Sequence, residues 1–394
     1  MAAPKAATIA IRMPQSPEER ARIYAFRYRV EIMKNCGASV FADDKKMIIT
    51  DDLDESAVQL CLVKQHAVAA SVRINSTENT KFDEGLSAHF RLGEFAKFEP
   101  KDRSLTSRLV VSDDDNPGQL TAVLLGAAYK VARDMGSRFD FTSCPPPLVP
   151  LYERLGYRRY ADNFVGEDDV YHVPLVLLTD DLAHLRYVGS PFSKLAVEFS
   201  NTAEASQWFE RTFPDSMNAA VGRTLDEEDF WSLLTEKLQQ TPIEGIPLLK
   251  DMRYADAKRV LHTGSTLQCK RGDRIVQAGA TSREMYVILS GSVEVRSGDH
   301  VVAELGRGEI FGESALISSA PRTADVVALE DVEVLILSQN FLENGMRTMP
   351  EIMSRVLYNL SMILVERLRD STTQLTDGSA AAIPATKQDQ RRSA

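Results

Sequence analysis

Ile23, Phe26, Val30 and Met33 recur at helical spacing over residues 18–33, behind a Ser16-Pro17-Glu18-Glu19 start, and predict the first helix. Two β-rich runs follow, 58–63 and 67–74, parted by Lys64-Gln65-His66, and read as a hairpin. A strand over 105–111 ends at the breaker cluster Ser112-Asp113-Asp114-Asp115-Asn116-Pro117-Gly118. Helical periodicity over 119–135 stops at Gly136. A strand at 139–142, the run Cys144-Pro145-Pro146-Pro147, a short helix over 148–155 closed by Gly156 and a strand over 170–177 come next. Helix, hairpin, strand, helix, strand, helix, strand is the order of a mixed α/β domain.

Past residue 179 the pattern turns helical, with amphipathic candidates at 198–213 and 225–238. From 266 to 337, short β-rich stretches alternate with Gly272, Gly279, Gly291, Gly298, Gly306, Gly308 and Gly312, the punctuation of a small barrel or jelly roll. Residues 350–374 return to helix, with Ile352, Val356, Leu360, Ile363, Leu364 and Leu368 along one side. The end of the chain is polar, small and alanine-rich. The predicted fold class is α+β: a mixed α/β domain over 1–195, a helical connector over 196–245, a β jelly roll with flanking helices over 246–372, and a disordered tail over 373–394.

Length and composition fit this division. The chain has 394 residues, and at about 150 residues per domain that means two or three domains. Hydrophobic residues make up 44% and charged residues 26%, enough to bury real cores. The net charge of −10 gives the chain no basic footprint, so no general nucleic-acid role is expected. Cys36, Cys61, Cys144 and Cys269 form no CxxC pair, which argues against a disulfide framework or a metal site and fits a reducing cytoplasm. Residues 1–13 lack the apolar core of a signal peptide, and the most apolar run, 120–132, is interrupted by Lys130 and too short to span a bilayer. Cytoplasmic localisation is expected.

The segment Gly306-Arg307-Gly308-Glu309-Ile310-Phe311-Gly312-Glu313-Ser314-Ala315-Leu316, followed by Pro321-Arg322-Thr323-Ala324, resembles the phosphate cassette of cyclic nucleotide-binding domains. Lys270-Arg271-Gly272-Asp273, Gly279 and Leu289-Ser290-Gly291 are also similar to that family, so the resemblance covers roughly residues 245 to 372. A cyclic phosphate is a compact monoanion, well held by successive backbone N–H groups and one guanidinium. Gly312 lets the backbone approach closely, and Ser314, Ala315 and Leu316 supply amides at the turn. The resemblance implies that Glu313 accepts from the ribose 2′-hydroxyl, that Arg322 pairs with the phosphate, and that Thr323 and Ala324 line the base or phosphate. It also makes the helix from Pro350 a lid over the purine. Cyclic AMP is the first expectation and cyclic GMP stays open. No helix-turn-helix follows the lid helix, so a catabolite-activator type of transcription factor is not expected.

The N-terminal half is similar to the Gcn5-related (GNAT-like) N-acetyltransferase fold, in the branch of autoinducer synthases and long-chain N-acyl amino acid synthases. The matching segments are Ile23-Tyr24-Ala25-Phe26-Arg27-Tyr28-Arg29-Val30, Asp51-Asp52-Leu53-Asp54, Ala69-Ala70-Ser71-Val72-Arg73-Ile74, Thr106-Ser107-Arg108-Leu109-Val110-Val111 and Leu151-Tyr152-Glu153-Arg154-Leu155-Gly156-Tyr157. The implied reaction is attack of an amine on an acyl thioester, which needs a base, backbone amides at the carbonyl and an acid for the thiolate. On that resemblance Val110 and Val111 supply the amides, Tyr152 is the acid and Glu94 the base. Arg27, Arg73 and Arg108 either organise an acidic cluster with Asp52 and Asp54 or hold an amino-acid carboxylate. Cys144 reads as a buried residue rather than a nucleophile, because no histidine lies near it in sequence.

Where coenzyme A enzymes have a glycine-rich pyrophosphate loop, this chain has Asp113-Asp114-Asp115-Asn116-Pro117-Gly118-Gln119. Three carboxylates there repel a phosphate, which favours acyl carrier protein as donor over acyl coenzyme A. An acidic carrier needs a basic patch, for which Lys130, Arg133 and Arg138 are the candidates. Two readings of the whole chain result: an N-acyltransferase under allosteric control by cyclic nucleotide, which could also form a homodimer through its lid helix, or a non-catalytic signalling protein with a degenerate acyltransferase fold.

Overall fold

The computed structural model describes residues 9–34, 39–112, 117–166, 171–199, 203–214, 216, 226–280, 284–298, 300–317 and 321–380. Strand β1 (Ile9–Arg12) leads into helix α1 (Pro17–Tyr28). Ser16 caps that helix by accepting from the Glu19 amide at 3.3 Å, with Pro17 in its first turn and Glu18 and Glu19 at its positive end. A π-helical turn, Arg29–Lys34, completes the apolar stripe read over 18–33. β2 (Ala42–Asp43) and β3 (Ile48–Ile49) make a small ribbon that the pattern did not announce.

β4 (Val58–Lys64) and β5 (Ala67–Ser76) form the hairpin, turned by Gln65 and His66, both at positive φ. Then come β6 (Arg103–Val111), α2 (Pro117–Asp134), β7 (Phe139–Cys144), α3 (Val149–Leu155), β8 (Arg158–Arg159), β9 (Phe164–Val165) and β10 (Tyr171–Leu178). Together the strands make an eight-stranded sheet ordered β1-β4-β5-β6-β7-β10-β8, with β9 on β10. β6 and β7 run parallel, joined by the α2 crossover, and the other pairings are antiparallel.

Each face of this sheet has its own core. On one, α2 lays Leu120, Leu124, Leu125 and Ala128 against Leu60, Leu62, Ala70 and Val72. On the other, Leu105, Phe139, Phe141, Val176 and Leu178 meet Phe90, Phe95, Phe98, Phe209 and Phe213. Phe209 belongs to a helix, Glu204–Thr212, inside the stretch expected to be a connector; its aromatic residues instead close the N-terminal sheet.

The second half begins with α4 (Glu227–Leu238), capped by Asp226. β11 (Ser265–Cys269), β12 (Arg274–Val276), β13 (Glu284–Ser290), β14 (Val293–Ser297), β15 (His300–Leu305) and β16 (Ile310–Phe311) precede the short helix α5 (Glu313–Ile317). β17 (Asp325–Ala328), β18 (Val332–Ser338) and the long helix α6 (Pro350–Ala380) complete it. The strands form two antiparallel four-stranded sheets, β11-β18-β13-β16 and β12-β17-β14-β15, the jelly roll expected from the glycine spacing. β13 is buried on both faces. Tyr286 and Ile288 point into the barrel with Phe311, Val334 and Ile336, while Met285, Val287 and Leu289 meet α4 and Ile352, Met353, Val356 and Leu360 of α6. α6 runs on to Ala380, past the predicted start of the tail at 373; residues 381–394 lie outside the described residues. A single apolar cluster continues from Tyr171 and Val173 of β10 to Leu267, Cys269 and Ile275 of the barrel.

Gly308 is where backbone meets backbone. It sits at φ +84°, and a Cβ there would fall 2.0 Å from the Gly245 carbonyl oxygen. Gly308→Ala is expected to lower stability by about 1–3 kcal/mol, read as a shift in the urea midpoint, since both conformation and contact oppose a side chain. An unchanged midpoint would contradict this packing.

Candidate functional site

In the barrel, β16 delivers the chain into the cassette. Gly312 adopts φ +78°, and a Cβ there would lie 2.7 Å from Arg322 Nη1 and 3.0 Å from the Glu284 carbonyl oxygen, so only glycine fits beside the arginine. Glu313, Ser314, Ala315 and Leu316 follow in α5. Arg322 is 6% exposed. Its Nη1 donates to Gly312 O at 2.8 Å, and its Nη2 donates to Glu284 O at 2.7 Å and to Glu284 Oε1 at 3.0 Å. Tyr286 Oη donates to the same carboxylate oxygen at 3.0 Å. Glu313, also buried, accepts from Arg367 Nη1 at 2.8 Å, and Arg367 Nη2 reaches Ile310 O at 2.5 Å. Helix α6 therefore crosses the cassette at Arg367. Thr323 is exposed and Ala324 half-buried beside the same turn.

The structure brings Gly312, Glu313 and Arg322 together and adds two residues that sequence reading missed. Glu284 could have been noticed as the one charge opening the otherwise apolar strand Met285–Leu289, where a buried acid requires a cation. Arg367 carried no such signal, because an arginine on a helix flank reads as solvated.

The N-terminal sheet holds two polar networks, one on each face. On the α1 side Arg27 Nη1 binds Asp54 Oδ1 at 2.8 Å, and its Nη2 donates to Gln59 Oε1 at 2.8 Å. Arg73 pairs with Asp51, reaches Asp54 at 3.1 Å and donates from Nε to Ser107 Oγ at 2.8 Å. Arg108 Nη2 holds Asp51 Oδ2 at 2.9 Å and lies 4.6 Å over the Phe41 ring. Burial raises the pKa of Asp51, but hydrogen bonds and charge from Arg73 and Arg108 outweigh it and hold the group below the usual carboxylate value. Asp54 ends low on the same balance, with Arg27 and Arg73 opposing burial. Burial weakens the hold of Arg27 on its proton. The partner expected at Asp52 is Asp51 instead: Asp52 precedes the helical turn Leu53–Ser56 in αR conformation and is exposed, which leaves Asp51 and Asp54 facing the arginines.

On the opposite side, Asp140 is buried between β6 and α3. Its carboxylate accepts from Ser104 Oγ at 2.7 Å, Thr106 Oγ1 at 2.9 Å and Tyr157 Oη at 2.6 Å. Burial raises its pKa to about 6 against the lowering effect of those hydroxyls. Tyr152 stands edge-on to Tyr157 at 5.2 Å, bonded to Thr142, and burial pushes its phenol up, so it keeps its proton at neutral pH. Between the two networks β6 and β7 part: their pairing covers Arg103↔Phe139, Ser104↔Asp140 and Leu105↔Phe141 and stops there. Arg108 then takes φ +53°, and the β5–β6 register shifts between Ser71 and Arg73, a bulge that re-aims the strand before Val110 and Val111.

Other expected residues are placed elsewhere. Glu94 is exposed and paired with Arg91 at 3.1 Å, in neither network. Lys130 meets Glu198 at 3.4 Å, Arg133 donates to Thr179 Oγ1 at 3.1 Å, and Arg138 binds Asp180 at 3.0 Å and Glu204 at 3.1 Å, so the basic patch expected for a carrier protein is already partnered. Cys144 is buried, with its thiol pKa pushed up by burial, as a core residue. The acidic loop 113–116 lies outside the described residues. Among the described residues no group of three metal-ligating side chains occurs, and no helix is long and apolar enough to cross a membrane.

Comparison with known proteins bears on the barrel. Residues 266–349 match the family model for the cyclic nucleotide-binding domain. The chain is 29% identical over 150 residues to the cAMP-dependent protein kinase regulatory subunit of Mycosarcoma maydis, covering 36% of this chain and 27% of that one. It is 30% identical over 119 residues to the Pycsar effector protein XpPycTIR of Xanthomonas perforans, covering 30% and 39%. Among solved structures, Thermus thermophilus Catabolite Activator Protein aligns at 29% identity over 34% of this chain and 63% of that one, with a TM-score of 0.31. The chain spans between 27% and 51% of the length of fungal regulatory subunits that it matches. The C-terminal half contains a cyclic nucleotide-binding domain.

Asp140 makes a pH test of the N-terminal network. Its folded pKa, about 6, exceeds the unfolded 3.8, so its contribution to stability is full below pH 3.8 and is lost as pH rises through 6. The stability of Asp140→Asn relative to wild type is therefore expected to rise by about 2 kcal/mol between pH 4 and pH 7, in urea titrations at each pH. A difference that stays flat would contradict the burial of this carboxyl.

Proposed function

We propose that this chain is an N-acyltransferase whose activity is set by a cyclic nucleotide, cyclic AMP or cyclic GMP, bound in the C-terminal barrel. The observation that carries the sensor half is the ring around Gly312, where a buried guanidinium, a buried carboxylate and a glycine that admits no side chain meet at one turn. The anionic phosphate takes Arg322, and the ribose hydroxyl takes Glu313 in place of Arg367. The fungal relatives are named as cAMP-dependent, which supports cyclic AMP as the first ligand to test.

The transferase half rests on the parting of β6 from β7, with a charged network on one side and phenols on the other. In this reading the acyl thioester enters the gap, its carbonyl facing the open edge of β6 near Val110 and Val111. The acceptor, as the neutral amine, attacks that carbon from the α1 side, the carbon–sulfur bond breaks, Tyr152 protonates the departing thiolate, and the proton shed by the new amide nitrogen returns through water to the Tyr152 phenolate. Three guanidiniums share two carboxylates in the charged network, and Arg108 is its outermost member. The remaining positive charge favours an acceptor that carries a carboxylate, such as an amino acid. With Lys130, Arg133 and Arg138 partnered internally, coenzyme A and carrier protein stand equal as the source of the acyl group.

Two measurements test the halves separately. Arg322→Ala is expected to weaken cyclic nucleotide binding by about 2–5 kcal/mol, roughly 30-fold to several thousandfold by calorimetry, because a buried phosphate loses its charged partner. Unchanged affinity would mean the cassette is misassigned. Incubating the full chain with acyl coenzyme A of several lengths, acyl carrier protein and an amino-acid pool is expected to yield an N-acyl product by mass spectrometry. Tyr152→Phe is expected to lower its rate by about 100-fold or more. Absence of any product would favour the non-catalytic signalling reading.

A further inference from the structure

The two halves meet along a seam whose bonds can be traced atom by atom. Tyr171, at the start of β10 and buried, donates to Asp273 Oδ2 at 2.7 Å. Asn163 Nδ2 donates to Tyr171 Oη at 2.8 Å and to Gln268 O at 2.9 Å. Arg159 Nη1 donates to Thr266 O at 2.7 Å, and its Nε donates to Glu153 Oε1 at 2.8 Å. Glu153 is on α3, next in sequence to Tyr152. One side of this seam therefore grips the helix assigned to the transfer chemistry.

The other side leads to the phosphate site. Asp273 stands just before β12, and Ala328 N, at the end of β17, donates to Asp273 O at 2.9 Å. β12 and β17 pair, and at their far end Gly279 N donates to Arg322 O while Arg322 N donates to Ala280 O, both at 2.8 Å. This two-strand ribbon has the phosphate arginine at one end and the seam at the other. Ile275, Val276, Val326 and Ala328 bury its inner face, so it is held as one packed unit rather than a loose strap.

We infer that the β12–β17 ribbon carries the nucleotide signal to α3, with Tyr171–Asp273 and Arg159–Thr266 as its attachment to the N-terminal domain. The inference rests on the sensor and transferase reading above and assigns the route of regulation within it. The switching element is Arg322, whose guanidinium has two competing sets of partners: Gly312 O and Glu284 in this structure, and a phosphate when nucleotide is bound. Its backbone N–H and C=O are both tied to residues 279 and 280, so a shift of residue 322 moves the end of the ribbon. Only a difference in contacts between two states can bias an equilibrium, and a phosphate on Arg322 competes for these contacts.

Hydrogen exchange on the full chain, with and without saturating cyclic AMP and then cyclic GMP, tests the route. Peptides covering 149–155 and 265–276 are expected to change exchange rate by about fivefold or more when nucleotide binds. The Tyr171→Phe, Arg159→Gln double variant is expected to bind the same nucleotide within about twofold of wild type and to lose the response at 149–155. Tyr171→Phe alone, which removes one hydroxyl and keeps the ring, is expected to reduce that response and guards against a double variant that fails to fold. Binding with unchanged exchange at 149–155 in wild type, or a full response in Tyr171→Phe, overturns the route while leaving the sensor intact. Failure of the wild type to bind either nucleotide would overturn the sensor reading, and the route with it.

Discussion

A guanidinium buried in a β-barrel must be paired, and the C-terminal half is organised around that requirement at Arg322. Removing the charge from water costs several kcal/mol unless acceptors replace the lost hydration. Glu284 and the carbonyls of residues 284 and 312 supply them, and each contact fixes a piece of backbone. Gly312 has no side chain because the arginine occupies that space, and the chain just past β12 is tied to residue 322 by the Gly279 amide and the Ala280 carbonyl. A phosphate is a better partner for a guanidinium than a neutral carbonyl, so an anion competes with the Gly312 and Glu284 carbonyls for Arg322.

The N-terminal sheet shows the same economy in a different form. Alternation along β7 sends Phe139 and Phe141 to the aromatic core and Asp140 to the opposite face, while the bulge at Arg108 turns β6 away from β7. A charged network and a hydroxyl network thus lie on opposite faces of β6, the first reaching Ser107 and the second Thr106. The proposed acyl transfer depends on that separation, because the amine approaches the thioester carbonyl from one side while the acid meets the departing sulfur on the other. The seam at Tyr171 and Arg159 ties this sheet to the barrel.

Much of this was legible in the residues. The hairpin over Val58–Ser76, the crossover helix that begins at Pro117 and the glycine-punctuated barrel follow from period and turn chemistry, because each is a local pattern. The cassette was legible because Gly312, Glu313 and Arg322 lie close in sequence. Glu284 and Arg367 reach the same site from 38 and 54 residues away: an acid opening an apolar strand says that Glu284 needs a cation but not which one, and Arg367 on its helix flank carries no signal. Asp52 was preferred to Asp51 because adjacent carboxylates cannot be told apart until the turn at Leu53 points one inward. Phe209 looked like part of a linker because its partners, Phe95 and Tyr160, are non-local.

Control of the N-terminal sheet by nucleotide at Arg322, as proposed, is tested most directly by the initial rate of N-acyl product formation by the full chain at zero and saturating cyclic nucleotide. A change of about fivefold or more, in either direction, that Arg322→Ala abolishes is expected. A rate that stays the same while calorimetry shows the nucleotide bound would contradict it.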